Sequence, residues 1–417
     1  MEEKQPPPAV GETWKLGLLF GAMYFIQGIG EPTEGLISQP VKVILKDWGQ
    51  NAAQIASFMA LLAIPWSIKP LYGLLTDFVP ILGSRRRSYL LLTSAATSLG
   101  LLAVGMMPHA QLTPLLLLTL LLVPTIGVAF SDVVVDALMV EKGQPLGLTG
   151  RLQAIQWACI YAATILVGVV GGYLSEHRRA DLSFLICGAM SLGTLLLAWL
   201  SVKEPPTVLE HASLRAALVA LWQALRDQSL LFVCAFLLLW NFNPFSSSVL
   251  NYYMTEELRL SEQFYGYTVS LGAVASIAAS IAYGFYCRLV PFRWLLHLSI
   301  GCGVITTLGY GLMRDELSVL VVTVIVDFTY MTAILVQLDL AARNCPANSA
   351  GTIFALLMSL SNFSVSLAAL IGGHLYELAK VSLGSHGAFQ TLVVVGALTT
   401  ACCWLLVPLL HRARADV

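Results

Sequence analysis

The chain has 417 residues, of which 57% are hydrophobic and 11% are charged. A soluble domain carries about 25% charged residues, so this composition excludes an ordinary soluble protein and indicates that lipid is the main solvent. The 23 basic residues nearly balance the 24 acidic ones, so no general positive field favours nucleic acid, and we predict no nucleic-acid partner.

No motif of an enzyme is present in the sequence. The eight cysteines show no metal-ligand spacing, and the seven histidines are scattered along the chain. The motifs of serine hydrolases, zinc proteases and phosphate loops are also missing, so neither catalysis nor ATP-driven pumping is predicted. We expect no metal and no cofactor, apart from a proton or another coupling ion.

The N-terminus, Met1–Pro8, is short, polar and acidic. It lacks the basic region and the short apolar core of a signal peptide, so the first apolar segment is expected to be an uncleaved membrane helix.

Apolar segments recur along the chain at the length of about 20 residues that a membrane-spanning helix needs. Twelve are predicted, at residues 15–46, 52–78, 88–107, 112–141, 150–175, 182–202, 229–256, 262–289, 293–313, 317–343, 351–379 and 388–410. They predict an all-α membrane protein with twelve transmembrane helices. Its parts are a tail at 1–14, a six-helix bundle at 15–202, a linker at 203–228, a second six-helix bundle at 229–410 and a tail at 411–417.

The linker carries leucines at helical spacing, at 214, 218, 221 and 225, which favours an amphipathic helix on the membrane surface. With both termini inside, the inner segments hold fifteen Lys and Arg residues and the outer segments six. Positive residues concentrate on the cytoplasmic side, so both termini and the linker are predicted to be cytoplasmic.

Short matches relate the two halves. Tyr72-Gly73 in the second helix matches Tyr283-Gly284 in the eighth, and Gly171-Gly172 in the fifth matches Gly372-Gly373 in the eleventh. Matches in the same order at similar offsets predict two parallel six-helix pseudo-repeats.

The first predicted helix carries two carboxylates, and an ionisable residue inside a membrane helix indicates function by default. Glu31 and Glu34 are three residues apart, on one face of a helix, with the helix-breaking Pro32 between them. They could form a cation or proton site. Alternatively, Glu34 only pairs with Lys42 or Lys69 and holds helices together.

The fourth predicted helix carries Asp132 and Asp136, which four-residue spacing places on one face. Lys69 is expected at a similar depth in the membrane, so it could pair with either aspartate. Such a pair could be a structural clamp or a lysine that exchanges partners with a substrate. The candidate proton-coupling residues are therefore Glu31, Glu34, Asp132 and Asp136.

Other polar side chains on the predicted helices could orient a ligand, and Trp157 could stack on a flat ring. Simple hydrogen bonds between helices are an equally good explanation for each of them. The candidate substrate contacts are Gln27, Lys42, Lys69, Gln153, Gln156, Trp157, Asn241, Asn243, Asp327, Gln337 and Asn362.

The loop after the second predicted helix contains Asp77 and then Arg85, Arg86 and Arg87. Pairing between the aspartate and the arginines could hold an inner gate closed in one state and break in the other. Alternatively, the arginines only set orientation. Asp339 and Arg343, four residues apart, are predicted to pair locally and are also gating candidates.

Several blocks of the sequence are typical of one family. They are Tyr24–Gly28, Leu45–Asp47, Ile64–Gly73, Gly83–Leu90, Phe130–Asp136, Leu152-Gln153 and Tyr252–Met254. In these blocks the chain resembles the folate–biopterin transporter family of the major facilitator superfamily. The resemblance implies the major facilitator fold and a substrate among folates and pterins. The acidic segment Gly30–Glu34 departs from the family, because two carboxylates would repel an anionic folate unless they were protonated or paired.

Together these patterns predict a secondary active transporter, a monomer in the bilayer, that moves a small planar polar solute by alternating access with proton coupling. The alternatives are a carrier of another amphipathic metabolite, a drug or a cell-wall fragment, or a transporter-derived receptor. The short N-terminus lacks a plastid-type extension, so a bacterial inner membrane is expected.

Overall fold

The computed structural model describes residues 10–108, 111–204, 219, 222, 226–287, 289–343 and 350–410. In these residues the regular structure is helical apart from one isolated bridge. The helices are α1 (Val10–Gly30), α2 (Ser38–Asp47), α3 (Ala52–Ser67), α4 (Lys69–Phe78), α5 (Arg87–Met106), α6 (Pro114–Gly143), α7 (Thr149–Glu176), α8 (Ala180–Ser201), α9 (Gln228–Asn241), α10 (Ser247–Tyr252), α11 (Glu262–Tyr286), α12 (Phe292–Tyr310), α13 (Glu316–Arg343) and α14 (Ala350–Ala401). A π-helix at Tyr253–Glu257 continues α10, and a 3-10 turn at Cys402–Leu405 follows α14.

Within the described part of the chain, nine helical stretches are long and apolar enough to cross a membrane. The predicted all-α membrane fold is thus confirmed, whereas the count of twelve crossings stays a prediction. The linker leucines at 214, 218, 221 and 225 lie outside the described residues.

The internal contacts group the chain into two units. The first comprises Met1–Pro40 and Leu71–His211, and the second comprises Val41–Pro70 and Ala212–Val417. Residues 41–70, which the sequence places in the first six-helix bundle, therefore share their contacts with the second half. The bundle boundaries at 15–202 and 229–410 stay predictions.

The first predicted helix is broken in its middle. It ends as α1 at Gly30 and resumes as α2 at Ser38, with Pro32 in the turn between them. Proline has no N–H to donate and clashes with the preceding helical turn, so the backbone leaves the helix here.

The seventh predicted helix breaks in the same way. α9 ends at Asn241 and α10 begins at Ser247, with Pro244 between them. The Asn243 side chain accepts a hydrogen bond from the Phe245 N–H at 3.0 Å, which satisfies one main-chain donor of the break.

The matched glycine pairs face these two breaks, each inside its own unit. A Cβ added to Gly171 on α7 would lie 3.5 Å from the Leu36 carbonyl oxygen, in the first break. A Cβ added to Gly372 on α14 would lie only 1.7 Å from the Pro244 carbonyl oxygen, in the second break. Equivalent glycines thus contact equivalent breaks, which supports the internal repeat read from the sequence.

One glycine divides the last long helical run. Gly384 in α14 has φ 70° and ψ 174°, a conformation that is nearly restricted to glycine. It lies between the predicted helices 351–379 and 388–410, so the run is two helices joined at this residue.

The contact at Gly372 yields a prediction about stability. Gly372→Ala would press a methyl group into the Pro244 carbonyl, and we expect it to destabilise the protein by about 1–3 kcal/mol despite the higher helix propensity of alanine. Thermal unfolding of the purified protein in detergent measures this. Gly301→Ala on α12 is the control, because no atom lies within 4 Å of its added Cβ. Equal melting temperatures for the two variants would contradict the close contact.

Candidate functional site

A network of polar side chains joins three helices of the first unit, α1, α6 and α7. We call it the carboxylate cluster, and its members are Tyr24, Gln27, Asp132, Asp136 and Gln156. Gln27 on α1 donates to Asp132 Oδ1 at 2.5 Å, and Tyr24, one turn earlier, donates to Asp136 Oδ1 at 2.5 Å. Gln156 on α7 donates to the same Asp136 oxygen at 3.2 Å. The two aspartates therefore share one face of α6, as their spacing predicted.

Small residues on α1 let α7 come close enough to complete the cluster. A Cβ added to Gly28 would lie 2.8 Å from the Ala163 side chain, and one added to Gly21 would lie 3.1 Å from Ile155. Glycine at helix contacts allows the two backbones to approach within hydrogen-bonding reach of short side chains.

Neighbouring contacts hold α6 in position. The Ser131 hydroxyl is 2.6 Å from that of Thr93 on α5. The Phe130 ring stacks on Tyr72 and on Tyr89, with ring centroids 4.7 and 5.2 Å away. These contacts hold the α6 backbone just before Asp132, whose side chain is 5% exposed.

Two further candidates on α7 have exposed side chains. Gln153 and Trp157 lie three residues before and one residue after Gln156 in the sequence, and both are exposed. The Trp157 side chain is 44% exposed, with the Tyr161 ring centroid 6.1 Å away. α7 thus carries a member of the carboxylate cluster and an exposed aromatic ring, two kinds of group that ligand sites use.

Glu31 and Glu34 do not share a helix face, so that expectation was wrong. Both lie in the turn around Pro32, between α1 and α2. The buried Glu31 carboxylate accepts hydrogen bonds from Thr33 N at 2.9 Å, from Thr33 Oγ1 at 2.5 Å and from the Glu34 N–H. It therefore holds the turn together, while the Glu34 side chain is exposed. A coupling role for either residue stays a prediction.

In the second unit, candidate contacts join helices to one another. Asn241, at the end of α9, donates to Gln337 on α13 at 3.1 Å, and both are buried. Asn243 in the break donates to Thr307 on α12 at 2.8 Å. These are the interhelical hydrogen bonds that the sequence left open as an alternative to ligand binding.

Of the remaining candidates of the second unit, Asp327 lies on α13, and three others lie on α2, α4 and α14. Lys42 is buried on α2, and Lys69 begins α4 with its ammonium 4.6 Å from the centre of the Trp66 ring. Asn362 on α14 donates to the Trp66 carbonyl at 3.2 Å. A pair between Lys69 and either aspartate of the carboxylate cluster stays a prediction.

One ion pair was missed at the sequence level. Lys46, at the end of α2, forms a salt bridge with Glu262 at the start of α11 and contacts Thr255 Oγ1 at 2.9 Å. The Lys46 and Glu262 side chains are 8% and 11% exposed. Partners more than 200 positions apart leave no local pattern, so the sequence did not predict this pair.

At the predicted inner loop, Arg86 is the arginine that pairs with Asp77. Its guanidinium contacts Asp77 Oδ1 at 2.5 Å, Glu141 Oε1 at 2.7 Å and Thr76 Oγ1 at 2.7 Å. Burial alone would lower the pKa of Arg86, but the Glu141 and Asp77 carboxylates outweigh it and raise that pKa, so the arginine stays charged.

The neighbouring arginines have other contacts. Arg85 reaches the Asp77 carbonyl, at 3.3 Å, and Arg87 donates to the Trp199 carbonyl at 2.9 Å. Glu204, which the sequence did not single out, accepts from the main-chain N–H groups of Arg86 and Arg87 at 2.9 and 2.8 Å. It therefore caps the start of α5, where a negative charge is favourable.

The second candidate gating pair, Asp339 and Arg343, is only half described by the structure. Asp339 lies partly buried on α13, whereas the Arg343 side chain lies outside the described residues. The local pair and the gating roles of all these residues stay predictions.

The paired arginine yields a second stability prediction. Arg86→Gln would leave Asp77 and Glu141 close together without their shared cation, and we expect a loss of about 1–3 kcal/mol. Arg85→Gln removes the same charge from the same loop but breaks one long contact, so it should cost less than about 0.5 kcal/mol. Thermal unfolding at neutral pH compares them, and an equal loss for both variants would refute the special role of Arg86.

Comparisons with known proteins bear on this arrangement. The model of the BT1 family matches residues 27–416. The folate-biopterin transporter of Synechocystis sp. is 32% identical over 409 residues, which cover 93% of this chain and 80% of that protein. Probable folate-biopterin transporter 4 of Arabidopsis thaliana is 25% identical, with 92% of each chain covered.

Solved structures of transporters share the architecture. A mutant of the nucleoside transporter NupG has a TM-score of 0.73 at 12% identity, covering 95% of this chain and 99% of that one. A bacterial homologue of the human lysosomal transporter Spinster has a TM-score of 0.72 at 12% identity, covering 97% and 98%. At such identity the likeness shows the fold alone, and that fold is the predicted major facilitator fold.

Proposed function

Since the chain belongs to the BT1 family and is a membrane transporter, we propose that it carries folates or pterins, by alternating access and with proton coupling. The carboxylate cluster is the observation that supports this proposal most strongly. Its two aspartates lie on α6, one of the helices long and apolar enough to cross a membrane, where carboxylates are costly and functional by default.

The chemistry of the cluster suits one edge of a pterin. The ring presents its 2-amino group and its N3–H as adjacent donors, and a carboxylate accepts two such donors side by side. The neutral donors Tyr24, Gln27 and Gln156 orient the Asp132 and Asp136 carboxylates. In our proposal the pteridine ring binds these aspartates and stacks on Trp157.

Proton coupling follows from the charge of the substrate. A folate carries carboxylates on its glutamate tail, which two ionised aspartates would repel. A proton bound by Asp132 or Asp136 removes part of this repulsion and thereby favours joint binding of proton and solute. An inward proton gradient then drives uptake, and reversal of the gradient slows it.

Uptake by proteoliposomes tests the function and its coupling residue. We expect folic acid and pterin uptake to accelerate when the outside is acidic. Asp132→Asn should reduce the gradient-driven rate by at least about tenfold, the equivalent of one lost charged hydrogen bond. Asp181→Asn is the matched control, because Asp181 pairs with Arg179 at the exposed start of α8.

Two outcomes would contradict the proposal. If neither solute is taken up under any gradient and neither shifts the melting temperature, the folate assignment falls. If Asp132→Asn and Asp136→Asn both keep the uptake rate and its pH dependence, the carboxylate cluster does not couple transport to protons.

The binding mode predicts selectivity between two flat rings of equal size. Lumazine carries a 2-oxo acceptor where pterin carries a 2-amino donor, so it should meet the aspartates with a repulsive group. We expect pterin to compete with labelled folic acid at least about tenfold more strongly than lumazine. Equal competition would show that the aspartates do not contact this edge.

A further inference from the structure

A partly buried carboxylate of the second unit lies outside the cluster described above. Asp327 is near the middle of α13, between Val326 and Phe328, in the described span of highest mean hydropathy. An acid in such a position is costly, so its surroundings decide which protonation state it adopts.

The carboxyl group of Asp327 occupies a notch on α11. A Cβ added to Gly272 would lie 2.0 Å from Asp327 Oδ2 and 2.8 Å from Asp327 Cγ. The acid therefore fills the volume that any other side chain at 272 would take. At this point Asp327 lies against the backbone of α11, whose N–H and C=O groups are already engaged in helical hydrogen bonds.

Among the residues that the structure describes, none hydrogen bonds or forms an ion pair with Asp327. By contrast, Asp132, Asp136 and Glu31 each accept at least one hydrogen bond. The described surroundings thus do less to stabilise a negative charge on Asp327 than on these three carboxylates.

The groups near Asp327 supply no positive charge. Asp327 interacts electrostatically with Tyr310 at the end of α12, and Tyr265 on α11 and Tyr330 on α13 lie near that phenol. All three are phenols, which are neutral near pH 7. Within the described residues, no hydrogen bond or ion pair joins Asp327 to a side chain of α9 or α14.

The energetics favour the neutral acid in this position. An ionised aspartate at the centre of a membrane helix is costly, and a protonated carboxyl avoids most of that cost. When the acid releases its proton to water, the resulting carboxylate gains by leaving the Gly272 notch for a more polar place. The side chain is partly exposed, so the notch does not seal it from exchange.

We propose that Asp327 is a second proton-binding site, neutral while its carboxyl group lies against Gly272 and displaced from the notch when it ionises. The proton then governs the contact between α11 and α13. The proton site itself does not depend on the proposed function. Only the further claim, that protonation of Asp327 couples the α11–α13 contact to transport, rests on the proposed function.

Infrared difference spectroscopy on the purified full-length protein in lipid tests the proton site without any transported solute. As the pH is raised, we expect the carbonyl band of a protonated carboxyl group to disappear. Asp327→Asn should abolish this band, whereas Asp132→Asn should leave it. Identical titrating bands in the wild type and in Asp327→Asn would overturn the proposal.

A second variant keeps the acid and changes only the notch. Gly272→Ala places a methyl group where the carboxyl oxygen lies, so Asp327 must move to a more polar site, and its band should disappear at a lower pH. Gly301→Ala controls for the added methyl group. An unchanged band position and midpoint in Gly272→Ala would also overturn the proposal.

The spectroscopic test and the uptake test can contradict their two proposals independently of each other. Absence of folate uptake would remove the proposed substrate and leave the Asp327 band measurable. Conversely, absence of that band would leave the uptake measurements and the role of Asp132 unaffected.

Discussion

The hydrocarbon core of a membrane cannot hydrate a charge or an open peptide group, and the features described above depend on this constraint. Each polar group inside the bilayer must find its partner within the protein. Asp132 and Asp136 meet the requirement through neutral donors on α1 and α7, and the turn after α1 meets it through Glu31. Asp327 meets it, in our proposal, by holding a proton.

The same constraint explains how the chain can break between α1 and α2, and between α9 and α10, without exposing the backbone to lipid. Each break contains a proline and faces a glycine on a neighbouring helix of its own unit, Gly171 in one case and Gly372 in the other. Irregular backbone is tolerated at membrane depth where it is covered by protein. The repeat therefore preserves a pair of covered breaks, and the first of them lies one turn beyond Gln27 of the carboxylate cluster.

Composition and local spacing predicted much of this structure. The apolar segments predicted the helical membrane fold, the four-residue spacing of Asp132 and Asp136 predicted their shared face, and the loop charges predicted that an arginine pairs with Asp77. The sequence did not predict the partners contributed by distant helices. Tyr24 and Gln156 meet on Asp136, and Lys46 meets Glu262, only because the helices pack, and no local pattern encodes such pairs. The different roles of Glu31 and Glu34 were missed because their three-residue spacing was interpreted as one helix face, whereas both residues lie in the turn between α1 and α2.

The most direct test of the central claim is a structure of the transporter with bound folic acid. The account predicts that the 2-amino group and N3 of the pteridine ring lie within hydrogen-bonding distance of Asp132 or Asp136, with the ring against Trp157 and the glutamate tail directed away from both aspartates. A pteridine ring bound without contact to either aspartate, or a glutamate tail lying against them, would contradict it.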